Sequence, residues 1–233
     1  MTNYAFPPAA INSLAVAGKS ERFPVNRIIC VGRNYAAHAR EMGMDPGRIP
    51  PFFFMKPASA LVEAGADEIT IPYPPMTKNF HHEIELVVAI SKGGSNIPEA
   101  EAWDHIYGYA VGLDMTRRDL QLEACSNRQP WEFGKSFSYS APIGPIVPAG
   151  QTGRMTSAAI SLDVNGQTRQ SSNINQLTWS VPEIIAHFTR YEGLQAGDLI
   201  MTGTPEGVSA VLSGDLMTGN IDGLDQIRVK VQG

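Results

Sequence analysis

The sequence is short of cysteines, of basic residues relative to acidic ones, and of long apolar runs, and each shortage excludes something. Two cysteines in 233 residues, Cys30 and Cys125, can build neither a disulfide framework nor a Cys/His zinc cluster. Cys30 lies in the apolar run IICVG and reads as a small buried hydrophobe. Two unpatterned thiols fit a reducing cytoplasm. Lys and Arg number 18 against 23 Asp and Glu, a formal net charge of −5 with no basic run. That balance argues against nucleic acid or an anionic membrane as partner. No apolar stretch approaches the roughly 18 residues that span a membrane. The first 24 residues lack a basic region followed by a clean apolar one, so no signal peptide is expected. There is no internal repeat and no low-complexity segment.

What is present is turn chemistry and short apolar runs. Scattered glycines (22) and prolines (17) imply many short strands. Strands are expected at 27–32, 52–62 (turning at Lys56-Pro57), 81–90, 106–115 and 227–231, with a short extended segment at 133–137 and a strand running into a glycine-proline loop over 198–208. Asn165-Gly166 marks a type I′ turn in a hairpin over 161–170. Three helices are expected: 34–43 with Asn34 as cap and Gly43 as stop, 116–127 with Thr116 as cap, and 180–194 with a Ser180/Glu183 capping box, Pro182 in the first turn and Gly193 as stop. Strands dominate without βα alternation, which gives a mainly β, α+β fold. The organisation expected is an arm over 1–24 and a single catalytic domain over 25–233.

The decamer HHEIELVVAI (81–90) carries the chemical question. Alternation puts His81, Glu83 and Glu85 on one face and His82, Ile84 and Leu86 on the other. Neighbouring carboxylates on a sheet repel each other. With Asp114 at the end of another apolar strand they form an all-oxygen set suited to Mg2+, Mn2+ or Ca2+. The alternative is a half-exposed strand with both glutamates in solvent. His38 and Glu41, three apart on a helix, share a face: either a carboxylate orienting a water-activating imidazole, or a solvated pair. Lys56 and Lys135 stand in aromatic surroundings, FFFMKP and WEFGKSF, as oxyanion stabilisers or as surface lysines. Arg117 and Arg118 follow the Asp114 strand, to grip a carboxylate or to form surface pairs. Thr202 and Thr204 either donate hydroxyls or shape a turn. One of His81 and His82 is a candidate satisfied core histidine, and His105 and His187 read as structural.

Together the segments VGRNYAAHAREMG, FFFMKPASAL, HHEIELVVAI, GYAVGLDMTRRDLQ, PWEFGKSF, APIGP and GLQAGDLIMTGTPEGV make the chain resemble the fumarylacetoacetate hydrolase family over roughly residues 27–210. The resemblance implies a mixed β-sandwich roll, a homodimer and a divalent cation, Mg2+ or Mn2+, on Glu83, Glu85 and Asp114. It implies that His38 and Glu41 activate water on a lid helix and that Lys135 stands by the reacting carbonyl. Arg118 and Gln121 then meet a substrate carboxylate, with Lys56 and Thr204 as further polar groups of the pocket. The activity implied is hydrolytic C–C cleavage of an acylpyruvate, fumarylpyruvate foremost, in aromatic (gentisate) catabolism. The substrate is a small 2-oxo dicarboxylate whose far carboxylate needs a second cation: Arg33, Arg117 or Arg128. Decarboxylation of oxaloacetate and isomerisation of an unsaturated 2-oxo acid are the alternatives.

Overall fold

Period-two alternation explains the centre of the molecule. In the computed structural model, which describes residues 2–233 except 44 and 46, the strand Ile84–Ile90 is buried along its whole length. Ile84, Leu86, Val88 and Ile90 point into one apolar core, and Val87 and Ala89 into another. A strand covered on both faces needs apolar residues at nearly every position, which this run supplies.

Eight strands form the larger, mixed sheet. Across it lie Phe52–Lys56, Ile28–Gly32, Leu199–Met201, Ile84–Ile90, Ile106–Leu113, Ala141–Ile143 and Leu61–Glu63, with Val147–Pro148 also on Ile106–Leu113. Ile28–Gly32 runs parallel to Leu199–Met201, and Ala141–Ile143 parallel to Leu61–Glu63; the other pairings are antiparallel. A second sheet orders Gln167–Asn173, Ala159–Val164, Leu216–Ile221, Ile227–Gln232 and Glu68–Pro72. The main core lies between the sheets, where Ile84, Leu86, Val111 and Leu113 meet Ile160, Leu162, Met217 and Val229. On the far face of the larger sheet, the hairpin Ser13–Ala15/Arg22–Pro24 contributes Leu14 and Phe23 to the second apolar layer, with Val16 and Val25 beside it. The mainly β, mixed-sheet fold expected from the sequence is therefore present. No helix among the described residues is long and apolar enough to cross a membrane.

Several local expectations need correction. The decamer 81–90 is not one strand: Phe80–His81 pairs with Thr116–Arg117, and the long strand starts only at Ile84. Thr116 does not cap a helix. Its hydroxyl donates to the Asp114 carbonyl (3.1 Å), its backbone is in that short ladder, and the helix begins at Arg118. Residues 132–135 form one helical turn rather than an extended segment. Gly134 makes that turn possible, since a Cβ there would sit 2.8 Å from the Gln121 Cβ. The third helix spans Val181–Phe188 with the expected capping box, but ends five residues before Gly193.

Asn34 does not cap the helix Ala36–Glu41 either. Its amide spans two loops, donating to the carbonyls of Trp179 (2.9 Å) and Thr202 (2.8 Å) and accepting from the Trp179 amide (2.7 Å). Gly43, at φ +69, does end that helix, its amide reaching the Arg40 carbonyl. Because Asn34 is buried, Asn34→Ala leaves three backbone groups unpaired. It should lower stability by about 1–3 kcal/mol in chemical denaturation, and an unchanged midpoint would show that water replaces the amide at no cost.

Candidate active site

Strand register assembles the acidic cluster. Ile84 lies opposite Leu113, which brings Glu83 against Asp114, and the Asp114 amide donates to the Glu83 carbonyl (2.8 Å). Met201 lies opposite Val87, which brings Gly203 to Glu85, and its amide donates to Glu85 Oε2 (2.7 Å). Gly203 has φ +100, and a Cβ there would meet the Asn34 Cβ at 2.7 Å, so glycine alone fits the turn. Glu83, Glu85 and Asp114, all buried, offer carboxylate oxygens within 4.8 Å of one another.

Three buried cations hold this cluster. Lys135 Nζ bridges Glu83 Oε2 and Asp114 Oδ2, each at 2.7 Å. Arg118 pairs with Glu83 Oε1 and donates to Gln121 Oε1 (2.6 Å). Lys56 Nζ lies 2.8 Å from Asp114 Oδ1, but off the line of a hydrogen bond; it donates instead to the Lys135 and Met115 carbonyls and to the Ser140 hydroxyl. Asp114 Oδ1 thus accepts no hydrogen bond among the described residues.

The two glutamates titrate oppositely. Burial pushes the Glu83 carboxyl up, but the Lys135 and Arg118 charges outweigh it and hold it well below its ordinary value. Glu85 makes no ion pair among the described residues; burial, then the Asp114 and Glu83 charges, push it well above the carboxylate range. Burial lowers Lys135, yet Asp114 and Glu83 leave it above its ordinary value. An all-oxygen set with one unpartnered carboxylate oxygen and one repelled carboxylate fits a hard divalent cation. Such an ion would take Glu83, Glu85 and Asp114.

His38 is brought to the same cavity, with Glu41 bonded to it. His38 Nδ1 lies 3.2 Å from Glu41 Oε2, and Glu41 Oε1 accepts from the Gly207 amide (3.0 Å). His38, Arg118, Gln121, Lys135 and Thr204 all line the cavity with the three carboxylates. The Thr204 hydroxyl accepts from Gln170 Nε2 (2.8 Å). Lys56 does not line this cavity; it sits behind Asp114. His81 supports Arg118, whose Nε approaches its Nδ1 at 3.5 Å, and burial followed by the Arg118 charge pulls His81 down to about 4. His82 is the satisfied core histidine, bonded to Gln170 (2.9 Å) and Ser209 (3.0 Å).

Sequence reasoning missed two parts of the site. Gln170, fully buried, ties His82, the Ile84 amide, Thr204 and the Pro205 carbonyl together, and nothing local in TRQSS marks it. The cavity wall of Phe52, Phe54 and Trp131 was also missed, although alternation in FFFMK puts Phe52 and Phe54 on one face.

The Glu85 shift gives a signed prediction for metal-free protein. A carboxyl raised in the folded state binds its proton more tightly there. Its contribution is complete below the unfolded value near 4.5 and is lost as pH rises through the folded value. Glu85→Gln should therefore melt near the parent at pH 4.5 and increasingly above it toward neutral pH, both in chelator. Parallel melting curves across that range would contradict the repulsion. Using the difference removes the opposing contribution of His81 and His82, which are lowered in both proteins.

Comparison with known proteins agrees with this geometry. Residues 27–232 match the family model described as fumarylacetoacetate (FAA) hydrolase C-terminal. A fumarylpyruvate hydrolase of a Ralstonia species is 51% identical over 180 residues, 77% of this chain and 92% of that protein. A mitochondrial oxaloacetate tautomerase of Rattus norvegicus is 40% identical over 205 residues, 88% of this chain and 91% of that protein. The crystal structure of fumarylpyruvate hydrolase from Pseudomonas aeruginosa in complex with Mn2+ and pyruvate superposes with a TM-score of 0.97 at 55% identity, covering 99% of both chains. The chain therefore belongs to the fumarylacetoacetate hydrolase family.

Proposed function

We propose that this chain is a divalent-cation-dependent hydrolase that cleaves the C–C bond of an acylpyruvate, converting fumarylpyruvate and water to fumarate and pyruvate. One observation carries the reading: a histidine held by a carboxylate and a three-carboxylate cation site meet at the same cavity, which His38 and the three carboxylates line. The similarity to fumarylpyruvate hydrolases, one of them holding Mn2+ and pyruvate, supports it. The family match from residue 27 onward supports a catalytic domain over 25–233 with an arm before it. Free thiols at Cys30 and Cys125 fit a reducing cytoplasm. Exposed Phe6, Met76 and Phe133 leave apolar surface for a homodimer.

Glu83, Glu85 and Asp114 would hold Mg2+ or Mn2+, which when bound supplies Lewis-acid stabilisation to the 2-oxo acid end of the substrate. The other steps belong to the chain's own side chains. Arg118 and Gln121 hold the carboxylate beside the keto group. Glu41 fixes the proton on His38 Nδ1, which leaves Nε2 to take a proton from water. The oxygen attacks the distal carbonyl carbon, and Lys135 and the Thr204 hydroxyl meet the developing oxyanion. Collapse breaks the bond between that carbon and the methylene, and its electron pair passes into the enolate of pyruvate. The proton on His38 is returned to the methylene carbon. Lys56 acts one step back, keeping Asp114 in place.

Likeness to the oxaloacetate tautomerase favours a second reading, in which the dyad shuttles a proton at the carbon beside the keto group and no water attacks. The two separate by substrate. Protein stripped with chelator and restored with Mn2+ or Mg2+ should turn over fumarylpyruvate with kcat/KM at least about 100-fold above that for oxaloacetate. The reverse preference, as enol–keto exchange or as CO2 release, would replace the hydrolase reading. His38→Ala should lower kcat on fumarylpyruvate by about 10²–10⁴-fold with little change in KM, and a variant of parental rate would remove the dyad from the mechanism.

A further inference from the structure

The reaction above uses the cationic floor of the cavity and leaves its aromatic wall without a task. Arg33 lies on that wall, with Phe52, Phe54 and Trp131. Of the three arginines that could meet the far carboxylate, it is the one that lines the cavity, and it combines three features there. Its φ is +60, the left-handed region that an arginine occupies only when its surroundings force it there. Its Nε is buried and has no hydrogen-bond partner among the described residues, and none of their ion pairs includes it. Its guanidinium stands 5.3 Å over the Phe52 ring, and Phe52 is itself set edge-on against Trp131 at 5.2 Å.

The surroundings that force the backbone are visible. Asn34, the next residue, is locked by its three hydrogen bonds to Trp179 and Thr202, and Gly32 pairs with Phe52 across the sheet. The fold thus holds a strained residue so that an uncompensated cation faces a largely apolar wall. The other arginines considered for this task are placed elsewhere. Arg117 shares the unpartnered Nε but stacks on Phe137 at 4.3 Å and donates to the Phe133 carbonyl, Arg128 shares the positive φ (+54) but is exposed, and neither lines the cavity.

We infer that Arg33 receives the carboxylate at the acyl end of the substrate and so makes the site selective for acylpyruvates ending in a carboxylate. This rests on the hydrolase reading for the identity of the substrate. The span is reasonable. Two strands, Leu199–Met201 and Ile84–Ile90, separate the strand before Arg33 from the strand before Asp114. Three steps of about 4.8 Å put their roots about 14 Å apart. The two carboxyl carbons of extended fumarylpyruvate lie roughly 7–8 Å apart, and the arginine stem covers the remainder. An aromatic, weakly hydrated wall strengthens a guanidinium–carboxylate pair and suits a flat conjugated chain lying along it.

The test compares two substrates in parent, Arg33→Met and Arg33→Asn, the latter because asparagine tolerates positive φ. With Mn2+ present, each variant should lose about 30-fold or more in kcat/KM for fumarylpyruvate, mainly through KM. Each should change less than about 3-fold for acetylpyruvate, whose acyl end is neutral. Equal losses on both substrates, or no loss on either, would overturn the assignment. A parent that hydrolyses neither substrate would defeat the hydrolase reading instead. Binding then decides Arg33 separately. In a His38→Ala background, Arg33→Asn should weaken equilibrium binding of fumarylpyruvate by about 30-fold, and unchanged binding would overturn the inference.

Discussion

The site depends on the mutual repulsion of three buried carboxylates. Glu83, Glu85 and Asp114 are forced together by strand register, and nothing in a β-sheet makes that favourable by itself. Lys135 and Arg118 relieve Glu83, and Lys135 relieves Asp114, but among the described residues Glu85 has only the Gly203 amide. The protein keeps its least supported carboxyl at the position that a hard cation would satisfy. Three cationic side chains already lie within ion-pair distance of the cluster. A divalent ion added to them leaves the floor of the cavity positive, as an anionic 2-oxo acid requires.

The rest of the fold serves this arrangement. The ends of five strands meet at the cavity, delivering Arg33, Phe52, Glu83, Asp114 and Thr204 from distant parts of the chain. Backbone positions that tolerate no ordinary side chain make the approach possible: Gly203 at the Glu85 carboxylate, and Gly134 where the turn bearing Lys135 meets Gln121. Asn34 closes the assembly from the side by tying the Arg33 segment to two loops. Glu41 is fixed to the Gly207 amide, which ties the dyad to the loop that follows Thr204.

Much of this was legible in the sequence because it follows from periodicity. Alternation placed Glu83 and Glu85 on one face, a three-residue spacing paired His38 with Glu41, and Asn165-Gly166 located its hairpin. The capping box at Ser180 was legible for the same reason: its signal is local. What was not legible is set by packing between distant segments. Asn34 looks like a helix cap until Trp179 and Thr202 are brought beside it. Gln170 joins residues more than 80 positions away. Lys56 resembles a pocket lysine until Asp114 is seen to stand between it and the cavity. Arg33 could not be ranked against Arg117 and Arg128, because its place on the cavity wall is set by the sheet and leaves no mark in the chain. Thr116 and the segment 133–137 were misread because short ladders and close helix contacts overrode local preference.

The central claim is that the cluster is built to hold one divalent cation. It is tested most directly by titrating chelator-treated protein with Mn2+ while following the paramagnetic resonance of the free ion. One tight site per chain, lost in Asp114→Asn and competed by Mg2+, is the predicted result. A folded parent that leaves millimolar Mn2+ free, or that binds it equally well without the Asp114 carboxylate, would contradict the account.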